Sequence, residues 1–186
     1  MYESILDLFI RRRSIRSYLD KTVEKEKIDT ILKAAFAAPS TCNNQPWEMI
    51  VVTEKSIMDE IREKFSFANY NAPCAIVVCA NTHLCRNIKG MYIFDCSAAM
   101  QNILLCATAL DLGSLWVGVY EEQSIKKISD IVGLPKHVVP CGIAYIGYAN
   151  EVKGPREQFN DKRVYEQVYD INRKHRARPK NMKKFT

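Results

Sequence analysis

Apolar residues along this chain recur in two rhythms, and the two alternate from one end to the other. The first is helical. Ile5, Leu8, Phe9 and Arg12 fall on one side of residues 2–13, and Ile28, Ile31, Leu32 and Ala35 recur at three- and four-residue spacing over 24–37. Thr22 is a candidate cap for that second helix, because a hydroxyl accepts from the free amides of a first turn, and Pro39 ends it. Residues 56–65 read as a third helix with a charged outer face, and 124–132 as a short one near the end. Residues 95–112 form the longest apolar helix, rich enough in Ala, Cys and Ser for another helix to pack closely, with Gly113 as its stop. The second rhythm belongs to strands at 47–53 (WEMIVVT), 73–80 (PCAIVVCA), 114–120 (SLWVGVY) and 138–148 (VVPCGIAYIGY). The unbroken apolar run at 73–80 suits a strand covered on both faces. Helices and strands alternate with no internal repeat and no dividing linker, so the class is α/β or α+β.

Composition narrows the setting. A chain of 186 residues with 47% hydrophobic and 26% charged residues can bury one real core. No apolar run approaches the ~20 residues of a membrane-spanning helix. Acids (Glu3, Asp7) stand where a signal peptide carries bases, so the chain reads as cytoplasmic, with no membrane partner. The 7 cysteines are odd in number and contain no C-x-x-C pair, which excludes a zinc knuckle and a thioredoxin motif. Cys74, Cys79, Cys106 and Cys141 lie in apolar segments as small hydrophobes, reduced and structural, while Cys42 stands apart in a polar loop. The net charge of +6 gathers in residues 173–186, a solvated arm able to hold polyanions without specificity. No nucleic-acid recognition motif accompanies it. His83, His137 and His175 have no metal spacing, no nucleophile elbow is present, and no G-x-G-x-x-G follows a strand.

Two segments carry candidate chemistry. Arg11-Arg12-Arg13-Ser14-Ile15-Arg16 gathers guanidinium groups and a hydroxyl, which suits a phosphate; the same residues also suit a solvated helix end. About two dozen residues later, Pro39-Ser40-Thr41-Cys42-Asn43-Asn44-Gln45-Pro46-Trp47 supplies hydroxyls and amides that match a ring edge of alternating donors and acceptors.

In order, spacing and residue type these segments resemble the FMN-dependent nitroreductase family. R-R-S-I-R from Arg12 resembles its phosphate and ribityl motif, and Pro39–Trp47 its P-S-x-x-N-x-Q-P-W pattern. Leu112–Gly118 resembles its G-L-G-x-x-W-x-G segment, with Asp111 in place of the first glycine. Lys162-Arg163-Val164-Tyr165-Glu166-Gln167-Val168 resembles a terminal R-K-P-L-E-E-V without its proline, and Gly147-Tyr148-Ala149 stands where G-Y-P is common. The likeness spans about residues 8–170.

The resemblance implies an α+β, three-layer fold with a mostly antiparallel central sheet flanked by helices, over a domain of residues 1–170 with a basic arm at 171–186. It implies a homodimer with two noncovalent FMN groups at its interface and the 95–112 helix at its centre. Arg12 and Ser14 would meet the phosphate with Arg13 beside them, and Arg16 would reach the ribityl chain and the N1–C2 edge. The loop (Pro39, Ser40, Thr41, Asn43, Gln45) would contact the ring. Trp116 and Gly118 would pass one ring face, although a Trp in an apolar strand reads equally as core. Lys162 or Arg163, with Arg163 preferred, would return to the phosphate. NADH or NADPH would reduce the flavin, and a nitroaromatic, quinone or similar acceptor would take two electrons in ping-pong fashion, with no side chain required as acid or base. Other readings on the same fold are dehalogenation, enoate reduction, or a flavin-binding redox sensor that uses Cys42.

Overall fold

The computed structural model describes residues 2–65, 68–85, 90–156 and 158–172; the basic tail from 173 and part of the polar excursion at 81–91 lie outside them. The chain forms one compact unit over Met1–Pro155 and a second from Arg156.

In the first unit the elements alternate as the two rhythms predict: α1 (Tyr2–Arg11), α2 (Lys25–Phe36), β1 (Trp47–Val52), α3 (Lys55–Lys64), β2 (Cys74–Asn81), α4 (Tyr92–Ala109), β3 (Gly113–Gly118), α5 (Glu122–Val132) and β4 (Val138–Gly147). The strands form one sheet in the order β1-β2-β4-β3, with all three pairings antiparallel. That settles the class as α+β.

The apolar run of β2 lies at the sheet's centre, buried on both faces. Cys74, Ile76, Val78 and Ala80 face a core built with Ile31 and Ala35 of α2 and Ala99, Ile103 and Ala107 of α4. Ala75, Val77 and Cys79 face the other core, with Met58 and Ile61 of α3 and Ile128 of α5. Complete burial of an aliphatic side chain there contributes about 2 kcal/mol, so β2 must be apolar at every position. The small residues of α4 let α2 approach closely enough for Asn102 Nδ2 to reach the carbonyl of Ala34 at 2.9 Å.

Two local expectations change. Thr22 does not cap α2: the helix starts one residue after Glu24, out of reach of that hydroxyl, and Glu24 makes no side-chain cap. Its carboxylate instead accepts from Tyr148 Oη at 2.7 Å. Nor does Gly113 stop α4, which ends at Ala109. The amides of Asp111 and Leu112 bond back to Thr108 and Ala107 at 3.2 and 2.9 Å, the pattern that closes a helix through one left-handed residue. Asp111 is that residue (φ 59°), and Gly113 already opens β3. A Cβ at Gly113 would meet Ile15 Cγ2 at 2.9 Å, so this glycine lets the 14–16 strip lie against the sheet.

In the second unit Asn160 caps a 3-10 turn, Asp161–Arg163, by accepting from the amide of Lys162. Tyr165 and Tyr169 stack there at 4.3 Å.

Candidate functional site

The basic strip begins where α1 ends. Arg12 closes the last turn by donating its amide to Leu8 O at 3.2 Å, and the chain then runs extended alongside β3. Ser14 makes a parallel bridge with Ser114, and Ile15 N donates to Ser114 O at 2.9 Å. The strip is held from the other side by residues not anticipated in the sequence. Glu151 accepts from Arg16 N and Ser17 N, and from Lys153 Nζ at 2.8 Å. Lys153 Nζ also donates to Ser14 O at 2.6 Å, and Arg13 donates to the carbonyl of Gly154. Burial pushes the Glu151 carboxyl up, but hydrogen bonds from Lys153 and the two amides outweigh it and hold the group below the usual carboxylate range. The backbone of 14–17 is thus fixed while the Arg16 side chain stays exposed.

The second segment is a strained loop. Cys42, Asn43 and Gln45 all take positive φ, of 51°, 54° and 48°, where a side chain other than glycine costs about 1–2 kcal/mol. Strain of this kind persists only when the surroundings over-determine it, and here they do. Asp95, in the first turn of α4 and only 5% exposed, accepts from Thr41 N at 2.8 Å and Thr41 Oγ1 at 3.0 Å. The Asp95 carbonyl accepts from Trp47 Nε1 at 2.9 Å. Ser40 Oγ accepts from Gln45 N, and Gln45 Nε2 donates to Asn43 Oδ1 at 2.9 Å. Asp95, like Glu151 and Lys153, is not singled out by the sequence; a single acid opening an otherwise apolar helix is the signal that points to it. Pro39, Asn43, Gln45 and Cys42 stay exposed.

Arg16, Trp116 and Gly118 come together. With Tyr70, Tyr120, Glu121 and Ser124 they line a cavity of about 420 Å³ at the end of β3, a size usual for a small-molecule site. Trp116 is not plain core, since 41% of it is exposed. A Cβ at Gly118 would meet only Tyr120 Cδ1, at 3.6 Å, so the wall there is open backbone beside two exposed aromatic rings. Arg13, with Arg11 and Lys153, lines a second cavity of about 480 Å³. Residues 39–45 line neither cavity. Arg163 belongs to the 3-10 turn of the second unit.

Such an arrangement is chemically specific. Guanidinium and hydroxyl groups on a fixed strip suit a phosphate, and a flat-walled cavity with a cation at its edge suits a planar, electron-accepting ring.

The fold defines an α+β protein, and these residues set cations and a hydroxyl on one strip and aromatic rings along one cavity. The chain belongs to the Nitroreductase family, whose model matches residues 10–69 and 66–148. It is an oxidoreductase of that family. A protein of Archaeoglobus fulgidus, provisionally named an NADH dehydrogenase/NAD(P)H nitroreductase, is 40% identical over 90% of this chain and 99% of its own length. The solved structure of an FMN-dependent nitroreductase from Clostridium difficile superposes with a TM-score of 0.78 at 35% identity, covering 88% of this chain and 99% of that one. An FMN reductase (NADPH) of Bacillus subtilis is 25% identical over 90% of this chain and 75% of its length.

Proposed function

We propose that this chain is an FMN-dependent NAD(P)H oxidoreductase that passes two electrons to nitroaromatic, quinone or similar small acceptors in ping-pong fashion, working as a homodimer. The observation that carries the reading is the meeting of Arg16, Trp116 and Gly118 in one cavity beside the Arg12–Ser14 strip. These residues fit FMN: the strip offers cations and a hydroxyl to a phosphate, and the cavity offers aromatic and open backbone walls to a ring.

Arg12, Arg13 and Ser14 would hold the phosphate, and Arg16 the pyrimidine edge, where a cation stabilises negative charge. When bound, the flavin supplies the acceptance and return of a hydride. The protein's part is binding and orientation. Glu151 and Lys153 hold the strip in place, Trp116 and Tyr120 offer aromatic rings along one side of the cavity, and no side chain is needed as acid or base.

Two features support a homodimer. Ile5, Leu6 and Phe9 of α1, and Ile93 and Phe94 of α4, are all at least half exposed, and large exposed apolar groups on neighbouring elements mark association surfaces. The 39–45 loop, the other half of the site implied by the motif, lies apart from the Arg16 cavity within one chain. A second copy would bring its own loop to that cavity. The C-terminal stretch 171–186 would then be an arm beyond the domain, with Arg163 returning to the phosphate.

The test is the visible spectrum of the purified protein before and after NADPH under argon, with sedimentation of the same sample. Flavin bands that bleach with reductant, in a particle of twice the chain mass, are expected. A protein that stays colourless after loading with FMN and removal of the excess would overturn the reading.

A further inference from the structure

The first turn of α5 opens on the Arg16 cavity. Glu121, the residue before the helix, and Ser124, in its first turn, both line that cavity with Arg16, Tyr70, Trp116 and Tyr120. The first bond into the helix runs from Ile125 N to Glu121 O at 2.9 Å, and the Glu121 side chain makes no cap. The amides of Glu122, Gln123 and Ser124 therefore keep the free donors of a helix N-terminus, at the positive end of its dipole.

Ser124 adds a donor of its own to that helix end. The residue is 8% exposed, and its hydroxyl bonds to no group among the described residues. Ser114, the other deeply buried serine, has its unpaired hydroxyl sealed in the core, whereas Ser124 lies on a cavity wall. Buried hydroxyls are normally paired, so an unpaired one on a cavity wall marks where an acceptor atom of a ligand docks. Shape and charge narrow the ligand. Tyr70, Trp116 and Tyr120 offer flat walls. Tyr70 is fixed there, since Arg62 donates to its carbonyl at 2.7 Å and to that of Ala72 at 2.8 Å. Arg16 and Glu121 bring opposite charges to the one cavity, which favours an occupant with no net charge.

We propose that Ser124 and the first turn of α5 form a carbonyl-binding subsite for a flat, neutral ring that gains two electrons. The subsite presupposes the oxidoreductase reading of the same cavity. Helix amides and a hydroxyl stabilise negative charge as it gathers on a carbonyl oxygen. The carbonyl belongs either to the ring of the bound cofactor or to a quinone acceptor, and its chemistry is the same in both. A quinone takes two electrons and one proton as a hydride equivalent drawn from NAD(P)H, then one proton from water. It leaves as the hydroquinone, and the nicotinamide is oxidised by the same two electrons. The subsite serves the oxygen that is negative between those two steps.

The test uses the full chain loaded with FMN and compares the parent with Ser124→Ala and with Ser124→Thr, which keeps the hydroxyl. Two readings separate the sources of the carbonyl. A midpoint potential lower in Ser124→Ala than in the parent, and restored in Ser124→Thr, assigns the subsite to the ring of the cofactor. An unchanged potential, with kcat/KM for naphthoquinone about tenfold lower and again restored by threonine, assigns it to the acceptor. An alanine variant unchanged in both readings, or a loss that Ser124→Thr shares, would overturn the proposal. A chain that takes up no FMN overturns the oxidoreductase reading instead, and the subsite is then read by quenching of tryptophan emission, since Trp116 lines the cavity. There Ser124→Ala should weaken naphthoquinone about tenfold and leave naphthalene, the same ring without carbonyls, unchanged. Equal binding of naphthoquinone by both chains would overturn it.

Discussion

The two candidate segments, strip and loop, are held by different physics. The 14–17 strip is ordinary extended backbone, tied to β3 by a bridge and to Glu151 and Lys153 by charge-assisted hydrogen bonds. The 39–45 loop has three left-handed residues that are not glycine, and one buried carboxylate, Asp95, holds it to α4. The strip is therefore held by several residues, and the attachment of the loop to α4 rests on one, Asp95. Loss of a single anchor should damage the loop more than the strip.

The sharpest way to break that contrast is Asp95→Ala. Removal of a buried charged acceptor shared by two donors should lower stability by about 3 kcal/mol, read as a fall in the urea midpoint at constant slope, and should release the strained φ angles. An effect as small as that of a strip variant would mean that the loop is held by something else. Gly113→Ala probes the strip through sterics. Its new Cβ runs into Ile15, an overpacking that should cost about 2 kcal/mol and loosen the Ser14–Ser114 bridge.

Glu151→Gln tests the charged side of the strip. It should cost about 1 kcal/mol at neutral pH, because the Glu151 side chain is 28% exposed and solvent screens part of its interaction. The sign of its pH dependence follows from the lowered pKa. The folded carboxyl ionises below its ordinary value, so its contribution is complete above that ordinary value and is lost as pH falls through the folded pKa. Parent and variant should converge in stability in acid; a gap that widens there would refute the assignment. The smallest effect separates strain from packing at Cys42. Cys42→Gly should be more stable than Cys42→Ala by about 0.5 kcal/mol, because glycine accepts the positive φ but has more freedom to lose on folding. Equal midpoints would show that the loop relaxes around either residue.

Much of the fold was legible because periodicity reports burial. The run Cys74–Ala80 could only be a strand covered on both faces, and it is the centre of the sheet. The spacing of Ile28, Ile31 and Ala35 could only be a helix face turned inward, and those residues are buried. Helix ends were less legible. Asp111 takes a left-handed turn that glycine usually fills, so the breaker nearest in sequence, Gly113, drew the boundary too far along.

The candidate residues were legible, but not what supports them. Arg16 stood out as a cation and Trp116 and Gly118 through a resemblance to a family segment, whereas Asp95, Glu151 and Lys153 act across the chain from residues they do not resemble or adjoin. A one-residue bulge is silent in a local pattern, so nothing in VVPCGIAY announced that Cys141 is an extra residue in the pairing of β4 with β2.

The sequence by itself determined which residues are buried, which elements they build, and which segments carry cations, hydroxyls and amides, because hydrophobic period and side-chain chemistry are local properties. Only the tertiary structure decided strand order, the anchoring of the loop by Asp95 and the holding of the strip by Glu151 and Lys153, because each depends on contacts between residues distant along the chain.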